Sequence, residues 1–295
     1  MVETLLAEHS VARPGLRSSG RRLRQVSPLT YLALVVALLL SAGPLYFMVV
    51  MASRPNDEIT SIPPPLTPGG QLGANVQRVL DNQDVMFQQA LMNSIVVAGI
   101  TTISVVVASS LAGFAFAKLR FRGRNALLLV VIATMMVPVQ LGFIPLYMLM
   151  ARLGISGQLS TVVWPFLVSG FGVFMMRQYA IQAIPDELIE AARIDGASTW
   201  RIFVSIVFPA LRPAAAVLGL LTFMERWNDF LWPYLSLDVD HPTVQVALSR
   251  LSSGYYTDQA LVMAGTLLGT LPLVVVFIVF GRQIIGGIME GGVKS

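Results

Sequence analysis

Six runs of apolar residues, each long enough to cross about 30 Å of hydrocarbon as a helix, constrain this chain more than any other feature. They cover roughly residues 29–52, 90–117, 126–150, 159–178, 213–235 and 260–281. A segment in lipid must satisfy its own backbone hydrogen bonds, so runs of this length predict an all-α polytopic membrane protein with six transmembrane helices. Pro138 and Pro145 interrupt the third run and Pro233 the fifth, and such kinks are tolerated where neighbouring helices re-satisfy the freed groups. The composition agrees: 55% of residues are hydrophobic and 12% charged, against about a quarter charged in a soluble domain.

The net charge of +4 would suit nucleic acid if the cations formed one patch, but they alternate between the ends of the runs. Arg13, Arg17, Arg21, Arg22 and Arg24 precede the first run, and Lys118, Arg120, Arg122 and Arg124 fill the second connection. Arg177, Arg193, Arg201 and Arg212 mark the fourth connection, and Arg282 and Lys294 follow the last run. The other side holds Arg54, Arg78, Arg152 and Arg250 among seven acids, Asp57, Glu58, Asp81, Asp84, Asp238, Asp240 and Asp258. By the positive-inside rule both termini and the fourth connection are expected in the cytoplasm, at a cell inner or plasma membrane, with no nucleic-acid partner. The long basic start and the long apolar run without a small-residue cleavage site read as a retained first span rather than a signal peptide.

Several chemistries are excluded. There is no Cys, and His9 and His241 alone build no metal site. No G-x-x-x-x-G-K-[ST] loop is present, so the chain is not expected to bind or hydrolyse ATP by that means. Residues 1–27 read as a basic cytoplasmic tail and 28–295 as one transmembrane domain. An external loop at about 54–88 contains Pro63-Pro64-Pro65, Pro68 and Gly69-Gly70, which favour extended and turn conformations. That loop and the acidic 236–258 loop are either plain connectors or receivers for an external partner.

The fourth connection, about 179–212, is unusually ordered. Pro185 suits a first helical position, and Asp186 and Glu187 place negative charge on the first turn. Gly196 is a natural left-handed stop and Ser198 a cap for a second helix. The expected product is two short helices meeting at a glycine, the first faced with Ala191, Ala192 and Ala197, forming a compact knob.

The string around that glycine resembles the signature loop of binding-protein-dependent ABC import permeases, which reads E-A-A, then D-G-A, then an aromatic, an aliphatic and a proline. Glu190, Ala191, Ala192, Asp195, Gly196, Ala197, Phe203, Ile206, Pro209 and Pro213 fall on it. Further likeness covers most of 90–295: Asn93-Ser94, the basic turn Phe114 to Arg124, Pro138, Gln140, Pro145, Leu146-Tyr147 and Ile184 to Leu188. The ending Gly291-Gly292-Val293-Lys294-Ser295 is similar to that of the shorter permease of maltose-type, carbohydrate-uptake systems. Glu290 and the 1–27 extension depart from the pattern.

The resemblance implies a division of labour. Two permease subunits form the pathway, and two ATPase subunits carrying ATP and Mg sit beneath them. An external sugar-binding protein delivers a sugar or oligosaccharide, and this chain is itself non-catalytic and binds no cofactor. Glu190, Ala191, Ala192, Asp195, Gly196 and Ala197 would contact an ATPase subunit, and Gly291, Gly292, Val293 and Lys294 would reach the same interface. Phe203, Ile206 and Pro209 would pack the knob to its own spans.

The fifth run carries Glu225-Arg226-Trp227-Asn228-Asp229-Phe230-Leu231-Trp232-Pro233. On one continuous helix Glu225, Asn228, Asp229 and Trp232 share a face, and the cost of ionised groups in hydrocarbon turns that face toward protein or water. It is a candidate pathway lining, with the carboxylates and amide for hydroxyls and the indole for a sugar ring. Two plainer readings stand beside it: Arg226 and Asp229 neutralise each other, and Trp232 is an interfacial belt residue. A proton-coupled secondary transporter using Glu225 and Asp229 is the alternative function, although no inverted repeat is visible.

Overall fold

The structure, a computed structural model, describes residues 27–253 and 257–292, with side chains through Gly281. The basic tail up to residue 26, together with Val293 and Lys294, lies outside the described residues. The chain divides into two units, residues 1–45 and 46–295. What is described of the first is the opening of α1 (Pro28–Ala52), whose Leu29, Leu32, Leu38 and Leu40 are exposed, as suits a helix immersed in lipid.

In the second unit α1 ends, and short helices α2 (Asn56–Ile59) and α3 (Leu72–Leu80) follow. Next come α4 (Phe87–Lys118), α5 (Arg124–Met135), α6 (Phe143–Arg152), α7 (Leu159–Val163) and α8 (Gly170–Ala183). The chain continues through α9 (Asp186–Ile194), α10 (Thr199–Ile202), α11 (Phe208–Trp227), α12 (Leu231–Ser236), α13 (Val244–Ser252) and α14 (Gln259–Gly292). No strand occurs among the described residues; Gly157 and Leu237 form one isolated bridge. Five helical stretches are long and apolar enough to span a membrane, and a sixth results when the pair Arg124–Met135 and Val139–Arg152, bent by 90°, counts as one.

That bend corrects the expectation of a kinked but continuous third span. Pro138 sits in an extended conformation (φ −59°, ψ 126°), and its ring cannot tolerate a helical carbonyl four residues back. Pro145, in contrast, falls in the first turn of α6, where its missing N–H is one that has no partner in any helix. The 54–88 segment is also more ordered than expected. Within it α3 is amphipathic and buries Asn75 and Val79, and the Asn75 side-chain amide donates to the carbonyls of Ala52 and Arg54 at 3.0 and 2.9 Å.

The α4 and α8 helices pack closely because small residues face each other. A Cβ added at Gly113 would lie 2.7 Å from the Met176 Cβ and 2.8 Å from the Arg177 nitrogen. In a membrane such stripes replace the missing hydrophobic drive with close dispersion contact. Around this seam a first core cluster joins Val105, Phe114, Met176, Ile189, Ile202 and Leu218. A second gathers Val79, Phe87, Trp227, Val244 and Ala264, and a third Val97, Met150, Val162 and Trp232. The Asn93 amide donates to the Pro242 carbonyl at 2.9 Å, and Ser94 Oγ accepts the Val244 N–H at 2.8 Å. This Asn-Ser pair thereby ties the loop before α13 onto α4.

Candidate functional site

The fourth connection folds as the expected knob, with differences in detail. Pro185 stands just before the helix rather than at its first position (φ −60°, ψ 145°), and α9 opens on Asp186 and Glu187. The helix stops in a Schellman turn: the Gly196 N–H donates to the Arg193 carbonyl at 3.0 Å and the Ala197 N–H to the Ala192 carbonyl at 2.9 Å. Gly196 adopts φ +77°, the left-handed region that glycine enters without Cβ strain. Ala197 therefore lies in the turn and not on the face of α9. Ser198 Oγ then accepts the Arg201 N–H at 3.3 Å, capping α10 as expected.

The second helix does not stay separate. From Thr199 to Trp227 the chain runs as one helical span, widened to a π turn over Phe203–Val207 in which the Phe208 N–H reaches back to the Phe203 carbonyl. Pro209 explains the widening, since it withholds the N–H that the Ser205 carbonyl would take in an α-helix. The second short helix is thus continuous with a helix long and apolar enough to span a membrane, and α9 joins it through the turn at Gly196.

One side of the knob is bolted to the chain's own core and the other is bare. Ile189, Ala192, Ile202 and Phe203 are buried, Phe203 packs against the rings of Phe114 and Trp200 at 5.8 and 5.6 Å, and Ile206 packs against the same cluster. Ala192, one of the six expected contact residues, therefore faces inward. Glu190, Ala191, Asp195 and Gly196 are exposed and Ala197 is half-buried. Beside them Ile194 is 87% and Trp200 64% exposed, two apolar residues the sequence did not single out. Ile194 carried a signal, an aliphatic side chain between Arg193 and Asp195 at a helix end. Lys118, at the end of α4, reaches Asp186 at 2.6 Å and fixes the start of α9. That hydrogen bond and charge hold the Asp186 carboxyl below the usual carboxylate range, with Arg120 adding to the effect, so it is ionised at neutral pH.

In the fifth span the proposed common face is not formed. The helix α11 ends at Trp227 and a new one, α12, starts at Leu231, so Glu225, Asn228, Asp229 and Trp232 do not line up. The Asn228 backbone N–H and side-chain amide both turn back to the Met224 carbonyl, at 3.1 and 2.8 Å. Arg226 bonds to Glu225 and to Asp229, the latter at 3.2 Å, and its guanidinium lies 4.2 Å from the Phe166 ring centroid. The neutralisation expected as a plainer reading is therefore present. Trp232 is fully buried, neither pathway lining nor belt residue. Its indole N–H donates to the Thr161 carbonyl at 3.1 Å, and its ring stands 5.2 Å from that of Phe143.

Of the four candidates Glu225 lines a cavity of about 510 Å³, with Arg226, Thr101, Thr134, Ser169 and Thr222 among its other walls. The Thr101 hydroxyl is buried with no hydrogen-bond partner among the described residues. Hydroxyls, one carboxylate and a shielded guanidinium over an aromatic ring make a lining able to exchange hydrogen bonds with a polyol. Thr101 and Thr222 were missed in the sequence because threonines within apolar runs carry no pattern of their own.

Comparison with known proteins places these features. The lactose transport system permease protein of Rhizobium radiobacter is 35% identical over 265 residues, 90% of this chain and 95% of that protein. The arabinooligosaccharides transport system permease protein of Bacillus subtilis is 33% identical over 217 residues, 73% of this chain and 77% of its own. The sn-glycerol-3-phosphate transport system permease protein of Escherichia coli O6:H1 is 34% identical, covering 88% and 94%. Among solved structures, a bacterial ABC transporter involved in import of the acidic polysaccharide alginate superposes with TM-score 0.75 at 22% identity, over 86% of this chain and 94% of that one. Residues 105–285, which contain α8, the knob and α11, match the family described as the binding-protein-dependent transport system inner membrane component, and the chain belongs to that family.

Proposed function

We propose that this chain is the membrane-spanning permease subunit of an ATP-driven importer for a sugar or oligosaccharide, working beside a second permease subunit. ATP and Mg bind in two separate ATPase subunits, one of which receives the knob, and an external sugar-binding protein delivers substrate. The observation that carries this reading is the knob itself. An exposed Glu190, Ala191, Ile194, Asp195 and Gly196 surface on α9 and its turn joins through Ser198 to the helix Thr199–Trp227, long and apolar enough to span a membrane, so a push on the knob is passed to that helix. The orientation follows the arginine asymmetry, with the knob and both termini in the cytoplasm.

The substrate class rests on what the relatives transport, lactose and arabinooligosaccharides among them, and on the hydroxyls, carboxylate and guanidinium set among the apolar walls of the cavity beside Glu225. A related alginate transporter has been solved with an alginate pentasaccharide-bound periplasmic protein, which supports an external binding protein here. Proton coupling through Glu225 and Asp229 is disfavoured, because one guanidinium is ion-paired with both carboxylates.

Reconstitution into proteoliposomes tests the proposal. Uptake of a labelled oligosaccharide is expected only with ATP, the co-purified ATPase subunits and the cognate binding protein. Uptake driven by a pH gradient without ATP would refute it.

A further inference from the structure

We propose that a basic cavity between the α4–α5 turn and α9 binds the phosphodiester headgroup of an anionic phospholipid. The cavity, about 630 Å³, is lined by Lys118, Arg120, Arg124, Asp186, Glu190 and Arg193, with Phe121 and Ile189 among its apolar walls. Four cations against two carboxylates leave a surplus of two positive charges. Lys118 is engaged by Asp186 at 2.6 Å, and Arg124 gives one donor to the Leu119 carbonyl at 3.3 Å. Arg120 and Arg193 make no side-chain hydrogen bond or ion pair among the described residues. Even if Glu190 turned to one of them, an unmatched guanidinium would remain. Guanidinium groups bind phosphate oxygens in the same two-pronged geometry they use for carboxylates.

The location selects a lipid. With 32 residues, α4 extends about 48 Å, beyond the roughly 30 Å of hydrocarbon, so its Lys118 end reaches the headgroup zone. One turn after Arg124, α5 presents Leu127 at 52% and Val130 at 60% exposure, an apolar strip on which acyl chains can lie while the headgroup occupies the cavity. Basic pockets at the ends of membrane helices recognise anionic headgroups by this combination. The bound lipid would bridge the α4–α5 turn and α9, bracing the knob against α4. This inference rests on membrane insertion and on local geometry, and it can hold or fail whatever the transported substrate.

The test uses the full chain with the subunits that co-purify, in nanodiscs of phosphatidylcholine with or without phosphatidylglycerol. Native mass spectrometry is expected to show preferential retention of phosphatidylglycerol, reduced roughly tenfold or more in Arg120→Gln/Arg193→Gln. Retention should stay unchanged in Arg201→Gln, whose side chain is exposed and outside the cavity. Because assembly could suffer in the double variant, a phosphatidylglycerol with a photoactivatable group on its headgroup, on the wild-type complex, provides a second readout, with labelling expected in 117–124 and 186–193. Equal lipid retention by the double variant, or labelling elsewhere only, would overturn the site. So would displacement of the lipid by millimolar inorganic phosphate alone, which would make it a free-phosphate site. Loss of the ATPase subunit from the double variant with lipid retention intact would make the cavity a protein contact instead.

Discussion

Gly196→Val should leave the protein inserted in the membrane and strip it of productive contact with its ATPase subunits. The residue sits at φ +77°, and no atom lies within 4 Å of where a Cβ would be, so the penalty is conformational and not one of crowding. A side chain in the left-handed region costs about 1–2 kcal/mol, more when it is β-branched. That reduces the population of the intact turn roughly 5–30-fold. The two capping bonds from Gly196 and Ala197 to α9 would be the first to open. Gly196→Asn, which tolerates this region better, should retain most activity. Co-purification of ATPase subunits and ATP-dependent uptake check the pair, and a fully active Gly196→Val would remove the turn from the mechanism.

Trp232→Ala should destabilise the assembled protein rather than shift an affinity for sugar. The indole is fully buried against Phe143 and donates to the Thr161 carbonyl. Its removal opens a cavity between α6, α7 and α12 and orphans that carbonyl. Such truncations cost about 3–5 kcal/mol. Lower yield and an earlier melting transition of the detergent-solubilised complex are expected. A normal melting transition with weakened uptake would place the ring in the pathway after all.

These two positions mark how far the sequence reaches. The spans and the glycine stop are legible because length, apolarity and a left-handed turn are local properties, and Ser198 caps α10 for the same reason. The break in the fifth span is harder to read because apolar residues continue on both sides of Asn228-Asp229-Phe230. In a continuous helix Pro233 would crowd the Asp229 carbonyl, and in the first turn of α12 it needs no N–H partner. The ring therefore suits a break that periodicity alone hides, although Pro213 stands inside α11 without ending it. Which side of α9 faces outward was equally hidden. Ala191 and Ala192 are identical in chemistry, and only the packing of Ile189, Ile202 and Phe203 decides that Ala192 turns inward. The Arg226–Asp229 pair was legible from its spacing, but Phe166, in the turn between α7 and α8, reaches the Arg226 guanidinium only in the fold.

Cysteine cross-linking at the knob tests the central claim most directly, on a chain with no native Cys. Ile194→Cys, at an 87% exposed position, and Ala192→Cys, at an 8% exposed one, differ by only two residues along α9. In the assembled complex a short bifunctional thiol reagent should join Ile194→Cys to an ATPase subunit bearing a cysteine in its receiving cleft, with the yield changing when ATP is added. Ala192→Cys should give no such product. Cross-linking from both positions alike, or from neither in a complex that transports, would contradict a coupling knob docked by its exposed face.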